Sequence, residues 1–324
     1  MITIDKLEGI ENGVRHCSLT IGNFDGFHLG HREIIQNARQ MSKKLGAWPI
    51  VVMTFDPHPA AILHPDRVPR VLTPLPLKSA LLEQAGVDYL IIVKDTYQML
   101  SLSPQDFIKE FMMKQISPKA IIEGDDFHFG YGRSGNVETL INFSKLHNFE
   151  VTIVEPQHID IGGSPVRISS TMIRHCLHRG DVADAACALG RPYRLMGSVV
   201  KGRGKGSEIG YPTANIDPHD QIIPAEGVYA GFVSVADNLD GILTINQKLP
   251  AVFSLGRAKT FVSDHPLLIE AHLLDKTVGE LYGKFLAMDF VDFLRTQQRF
   301  DSEEILKEQI SKDCNKAQAI LAGK

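Results

Sequence analysis

Thr20-Ile21-Gly22-Asn23-Phe24-Asp25-Gly26-Phe27-His28-Leu29-Gly30-His31 is the stretch whose reading decides the fold. It follows an apolar run, Cys17 to Ile21, and opens onto a helical pattern over Arg32 to Leu45. Gly22, Gly26 and Gly30 punctuate the turn between them. Glycine accepts left-handed dihedrals and lets backbone come close to a ligand. A helix start reached this way offers unpaired N–H groups and the positive end of the helix dipole to an anion. His28 and His31 stand three apart at that start, so both can face one phosphate group. The dipole disfavours added positive charge, so each imidazole can stay neutral and still donate a hydrogen bond. In outline this is a nucleotide-phosphate site. Two other readings stand beside it. A zinc pair would need a third Cys or His ligand, none lies nearby, and the glycines would be unexplained. Incidental loop histidines are the third.

Outward from this junction the first half alternates strand and helix. Strand candidates are Cys17–Ile21, Pro49–Phe55, Tyr89–Val93, Ala120–Glu123 and Val151–Glu155, apolar on both faces as buried parallel strands are. Helical patterns at Arg32–Leu45, Lys78–Gln84, Pro104–Gln115 and Val137–Leu146 lie between them, with Ser103-Pro104 as an N-cap and first helical position. This alternation predicts a doubly wound parallel sheet, which binds ligands beyond the carboxyl ends of its strands. The glycine turn, Asp56-Pro57-His58-Pro59 and Gly124-Asp125-Asp126-Phe127 all follow such ends and should converge on one edge. From Asp56 to Pro76 six prolines (57, 59, 65, 69, 74 and 76) read as a long loop, either a lid or a rigid surface excursion. Val166-Arg167-Ile168-Ser169-Ser170-Thr171 then leads into a helix over Met172–His178. Hydroxyls at a helix start, with Arg167 and Arg174 bracketing it, suit a triphosphate; a helix cap and surface arginines explain them equally well.

Composition sets broad bounds. At 324 residues, two domains are the natural expectation. A formal charge of −4 does not indicate a nucleic-acid surface. No apolar run approaches 18 residues, and the start MITIDKLEGIENG has no apolar core, so neither a membrane span nor a signal peptide is expected. Cys17, Cys176, Cys187 and Cys314 are scattered without a CxxC and read as reduced thiols of a cytoplasmic protein.

A boundary falls near Leu189-Gly190-Arg191-Pro192, giving domains over 1–188 and 189–324. Beyond it come strand candidates Tyr193–Lys201, Val228–Ala236, Ala251–Leu255, Leu267–Leu274 and Lys284–Phe290, spaced as in an antiparallel barrel or sandwich. An amphipathic helix from about Ser302 to Leu321 closes the chain. Between Gly197 and Gly210, glycines 197, 202, 204, 206 and 210 alternate with Lys201, Arg203 and Lys205. Such a loop can wrap a polyphosphate; a solvated hairpin is the plainer reading, and a Walker A ending is lacking. Pro212-Thr213-Ala214-Asn215 follows, and the oxygens of Thr213 and Asn215 suit Mg²⁺ held together with phosphate. Glu270 and His272 share one strand face; Glu270 could take a hydroxyl proton, or be plain surface.

His28-Leu29-Gly30-His31 resembles the HxGH signature of nucleotidylyltransferases, and with Gly22-Asn23-Phe24-Asp25-Gly26 the resemblance narrows to FAD synthetases. TFDPHP at 54–59, GDDFHFG at 124–130, RISST at 167–171, GYPTAN at 210–215, GVYA at 227–230, EAHL at 270–273 and LYGK at 281–284 extend it over almost the whole chain. Together they resemble the bacterial bifunctional riboflavin kinase/FAD synthetase family. The resemblance implies an α/β, Rossmann-like N-terminal nucleotidylyltransferase domain that joins FMN and ATP into FAD and pyrophosphate. It implies a six-stranded C-terminal barrel with a terminal helix that phosphorylates riboflavin to FMN. Riboflavin, FMN and ATP are then the ligands, with Mg²⁺ as cofactor, no nucleic-acid or membrane partner, and a monomer or weak homo-oligomer.

By that resemblance His28 and His31 contact the ATP phosphates within the Gly22, Asn23, Phe24, Asp25, Gly26 and Gly30 frame. Asp126 belongs to the flavin/nucleotide pocket, and Arg167, Ser170, Thr171 and Arg174 complete the phosphate grip. In the kinase half, Gly202, Gly204, Lys205, Gly206 and Pro212 surround ATP, Thr213 and Asn215 hold Mg²⁺–ATP, and Glu270 is the base on the ribityl 5′-hydroxyl. Two places depart from the family pattern: Gly256-Arg257-Ala258-Lys259-Thr260-Phe261 where Gly-x-Arg-Pro-Thr-Phe is usual, and Lys276 where Phe is usual. Lost proline frees an N–H and loosens the segment. The alternatives are therefore a monofunctional FMN adenylyltransferase with a degenerate kinase module, or a flavin-nucleotide-binding regulator without catalysis.

Overall fold

The computed structural model describes residues 1–5, 14–63, 66, 68–94, 96–202, 205–257, 267–274 and 280–324. Arg203, Gly204, the side chain of Lys205, the Ala258–Phe261 stretch and Lys276 lie outside the described residues. Two compact units are formed. Met1–Pro69, Leu75–Asp160 and Ser164–Ile168 make the first; Arg70–Pro74, Ile161–Gly163 and Ser169–Lys324 make the second. This grouping differs from a division after residue 188, because 169–188 folds with the second unit.

The first unit begins with β1 (Ile2–Ile4), β2 (Ser18–Ile21), α1 (Leu29–Lys44), β3 (Ile50–Phe55), α2 (Pro59–Leu63), α3 (Leu75–Gln84) and β4 (Tyr89–Val93). It continues through α4 (Thr96–Leu100), α5 (Pro104–Asp106), a π-helix over Phe107–Ile116, β5 (Ala120–Gly124), β6 (His128–Phe129), β7 (Gly135–Asn136), α6 (Val137–His147) and β8 (Glu150–Val154). The hairpin β9 (His158–Ile161) and β10 (Ser164–Arg167) follows. The main sheet is parallel, in the order β1-β4-β3-β2-β5-β8. All of β2 and nearly all of β3 are buried, as strands covered on both faces must be.

Several features depart from the sequence reading, among them the two-stranded pairs β6–β7 and β9–β10, which were not anticipated. The Asp56–Pro76 stretch is not a single loop, since α2 lies within it and α3 begins at Leu75. Pro59 fits the first turn of α2, where its missing N–H costs nothing, and the His58 ring accepts the Ala60 N–H at 3.0 Å. The helix from Pro104 starts as α but continues as π from Phe107, and the wider turn keeps Phe107, Phe111, Met112 and Ile116 in the core. The edge strand β1 was not anticipated; it is only three residues long.

The second unit opens with α7 (Ser170–Arg179) and α8 (Val182–Leu189). Then come β11 (Tyr193–Val200), α9 (Lys205–Glu208), β12 (Ala214–Asp217), β13 (Gly227–Ala236), α10 (Leu239–Thr244), β14 (Leu249–Arg257), β15 (Leu267–Leu273), β16 (Phe285–Arg295) and α11 (Glu303–Leu321). Six strands close a barrel in the order β11-β12-β15-β14-β13-β16, antiparallel throughout. Alternation along β13 explains how it is filled. Tyr229 is fully buried and packs edge-on against Phe290, which does the same to Phe253. Its neighbours Val228 and Ala230 cluster instead with Ala317 and Leu321 of α11, which is capped by Ser302. The strand β12 was missed in the sequence because it has four residues and weak strand composition; pairing with β11 and β15 on its two sides holds it in place.

Among the described residues no helix is long and apolar enough to cross a membrane. All four cysteines are free, and burial pushes the Cys17 thiol up to about 12.

Candidate active sites

The sheet order creates the first site. From β2 the chain builds β3 and β4 on one side and β5 and β8 on the other, so a crevice opens beyond the ends of β2 and β5. The β2–β5 ladder pairs Ser18 with Ala120 and Leu19 with Ile121. Beyond it, the Ile21 N–H donates to Glu123 Oε1 at 2.7 Å. Glu123 is buried, and burial, with Asp126 adding to it, raises its carboxyl well above the usual range. The neutral acid thus satisfies a backbone donor where the strands part.

The turn after β2 is tightly specified. Phe24 (φ 48°), Gly26 (φ 87°) and Phe27 (φ 39°) all adopt positive φ. Holding a non-glycine residue there costs about 1–3 kcal/mol. Both phenylalanines are 2% exposed, and burying such a ring contributes about 1.5–3 kcal/mol, which offsets the strain. Phe24 therefore supports the turn from within the core.

His28 is the N-cap of α1, and its Nδ1 accepts the His31 N–H at 3.3 Å. With Nδ1 accepting, the neutral ring carries its proton on Nε2, which is then a donor. The His28 and His31 rings stack at 3.7 Å and 14°. Gly30 makes this possible, since a Cβ there would meet the His28 ring at 3.2 Å. Burial first, then His28 and Lys78, push the His31 pKa well below the ordinary histidine value. Its Nδ1 is buried with no hydrogen-bond partner, as is Asn23 Oδ1. For His31 the main cause of this shift is burial, where the sequence pointed to the helix dipole.

Arg167, at the end of β10, makes a fork with Asp125, at 2.5 and 3.0 Å, and reaches Asp126 at 3.4 Å. The Asp125 hydrogen bonds raise its pKa further, so it is always charged. A guanidinium has five N–H donors, so this fork leaves some for a second anion. Lys78, on α3, was not singled out in the sequence: it is 7% exposed, and its Nζ reaches Thr54 Oγ1 at 3.5 Å.

The division between the units falls inside RISST, between Ile168 and Ser169. On the second-unit side Ser169 caps α7 through the Met172 N–H, which gives that residue the plainer of its two readings. Ser170 and Thr171 form the first turn of α7, and Arg174 Nε contacts the Arg70 carbonyl at 3.4 Å.

The second unit assembles the other site where β12 and β15 pair. Asn215 lies opposite Glu270, and Thr213 Oγ1 contacts Glu270 Oε1 at 3.4 Å. Asn215 is buried. A Cβ on Gly202 would run into the Asn215 side chain, and one on Gly206 into the Tyr211 carbonyl. These two glycines are thus needed for close approach, more than for flexibility. The His272 Nδ1 contacts the Pro212 carbonyl at 2.8 Å, and its ring meets Tyr211 edge-on. His272 entered the sequence reading only as a strand neighbour of Glu270. Hydroxyl, amide and carboxylate oxygens in one cluster are the donor set that Mg²⁺ accepts beside phosphates.

Similarity to known proteins agrees with this two-site arrangement. The FAD synthetase family model matches residues 11–172, and the riboflavin kinase model matches 189–321. The chain is 37% identical over 298 residues to the bifunctional riboflavin kinase/FMN adenylyltransferase of Escherichia coli (strain K12), covering 92% of this chain and 90% of that one. The Pseudomonas fluorescens protein of that name is 35% identical, with 95% and 94% covered. The Haemophilus influenzae one is 34% identical, with 97% and 98% covered. A solved structure named as a macrolide-efflux protein from Streptococcus pneumoniae has a TM-score of 0.84 at 31% identity, covering 98% of this chain and 99% of that one. With two family models in tandem and relatives matched along nearly their full length, the chain belongs to the bifunctional riboflavin kinase/FMN adenylyltransferase family.

Proposed function

We propose that the chain phosphorylates riboflavin to FMN in its barrel and joins FMN to ATP, giving FAD and pyrophosphate, at the glycine-turn crevice. The observation that carries this reading is one chain holding two differently equipped sites. One has stacked histidines at the start of α1 and an arginine paired with Asp125 after β5; the other has a carboxylate beside Thr213 and Asn215. Family membership along the full length supports both activities and weighs against the reading with a degenerate kinase module.

In the kinase step, the ribityl 5′-hydroxyl attacks the γ-phosphorus of ATP, Glu270 takes the proton and ADP leaves. A neutral alcohol is a poor nucleophile, so a carboxylate base is useful here. Mg²⁺, held by Thr213 and Asn215, would neutralise phosphate charge. Gly202, Gly204, Lys205, Gly206 and Pro212 enclose the ATP. In the adenylyl step, an FMN phosphate oxygen attacks the α-phosphorus and pyrophosphate leaves. The nucleophile is already an anion, so alignment and charge neutralisation are the main needs. His28 and His31 donate to the phosphates, and Arg167, Ser170, Thr171 and Arg174 grip them. Asp126 borders the flavin/nucleotide pocket. A cytoplasmic monomer or weak homo-oligomer, without nucleic-acid or membrane partners, completes the proposal.

Crossed variants test the assignment. Loss of a preorganised donor costs roughly 10²–10³ in rate, and that is the expected drop in FAD formation for His28→Ala. The same variant should make FMN from riboflavin at the wild-type rate. Glu270→Ala should show the reverse, with FMN formation depressed and FAD formation from FMN spared. Equal damage to both steps by either variant contradicts the separate sites.

A further inference from the structure

Lys78 is a nearly buried ammonium within the first unit, on α3. Keeping a charge there is costly unless it is paired or hydrogen-bonded. Its Nζ donates to Thr54 Oγ1 at 3.5 Å, and Thr54 Oγ1 donates to the Asn23 carbonyl at 3.3 Å. Asn23 begins the turn that delivers His28 and His31 to the head of α1. Asp25, in the same turn, and Asp56, after β3, favour the charged ammonium and oppose the effect of burial. The charged or titratable groups acting on His31 are His28 from its own turn and Lys78 from α3; Phe24 adds an apolar ring at 5.0 Å. Asp25 and Asp56 face Lys78 from the turn and from the end of β3.

Resting on the assignment of adenylyl transfer to this crevice, we propose that Lys78 is a positioning residue for that reaction. Through Thr54 it fixes the turn that carries both histidines, and its charge adds to the burial that keeps His31 a neutral donor. A purely structural lysine has a different signature: a methionine of similar length would replace its packing, and swapping a buried charge for an apolar group is often neutral or stabilising.

The test compares Lys78→Met, Lys78→Arg and Thr54→Val in FAD formation from FMN and ATP between about pH 5.5 and 9, spanning the histidine range. FMN formation from riboflavin by the same preparations reports folding. Lys78→Met is expected to lower kcat by about 10- to 100-fold, the scale of a misplaced catalytic group, with the KM for ATP within about threefold of wild type. Its acid limb should move to higher pH. Removing a nearby cation eases protonation of His31, so the neutral ring is lost earlier as pH falls. The FMN phosphate titrates alike for every variant, so a difference between variants belongs to the protein. Lys78→Arg should leave the acid limb in place, and Thr54→Val should lower kcat without moving it. If Lys78→Met does not fold, the other two variants carry the same comparison. Wild-type kcat and an unmoved acid limb in Lys78→Met, with wild-type protein active, would overturn the role of Lys78 alone. Absence of FAD from wild-type protein would overturn the crevice assignment and the role of Lys78 with it.

Discussion

Glu123 shows how a single side chain can maintain an opening in a sheet. Its buried carboxyl accepts the Ile21 N–H where the β2–β5 ladder has ended, and burial keeps it protonated. A group whose folded pKa is raised stabilises the fold fully below its unfolded value, near 4.3, and loses that contribution as pH rises through the folded value. Glu123→Gln keeps the acceptor and cannot ionise. Thermal midpoints of the variant should therefore match wild type near pH 4 and exceed it by a few degrees at pH 8, at roughly 2–4 °C per kcal/mol. A lower midpoint for the variant at pH 8 contradicts a protonated Glu123. Neither Glu123 nor Lys78 was legible as a site residue in the sequence. One closes an apolar strand pattern and the other stands in a helical one; tertiary packing alone buries them. His28, His31 and Arg167 were singled out in the sequence because glycine spacing and neighbouring hydroxyls are the local pattern of a phosphate site.

Among the elements, those with a strong local period were read closely. Tyr89–Val93 matches β4 at both ends, and the remaining strands of the parallel sheet differ from their expected bounds by one residue, apart from the unanticipated β1. Elements set by long-range pairing were not. The four-residue β12 has no period of its own, yet it carries Asn215 to Glu270. In the same way β16 runs to Arg295, beyond the expected Phe290, because register shifts against β13 let it bend around the barrel. The glycine loop before β12 was read as a polyphosphate wrap or a solvated hairpin, whereas at Gly202 the reason for glycine is contact with Asn215. Gly202→Ala should therefore displace Asn215 and raise the KM for ATP in FMN formation by tenfold or more, about 1.4 kcal/mol, while FAD formation from FMN stays at the wild-type rate. An unchanged KM contradicts the placement of ATP at this loop.

For the whole molecule, the two architectures match two chemical needs. In the proposed adenylyl step, a parallel sheet that parts at its switch point would present a helix start and histidine donors to a leaving pyrophosphate. In the proposed kinase step, which must remove a proton, the closed barrel would supply Glu270 and Asn215, opposite each other on β15 and β12, with Thr213 beside them. Gly256–Phe261 and Lys276, where the chain departs from the family pattern, belong to the kinase half, so that step is where the account is most exposed. The most direct measurement is chromatography of flavins after purified protein is mixed with Mg²⁺–ATP and fed either riboflavin or FMN. The account predicts FAD from both feeds, with FMN appearing first from riboflavin. FAD from the FMN feed alone would contradict it and mark the barrel as a kinase disabled at Ala258, Lys259 or Lys276.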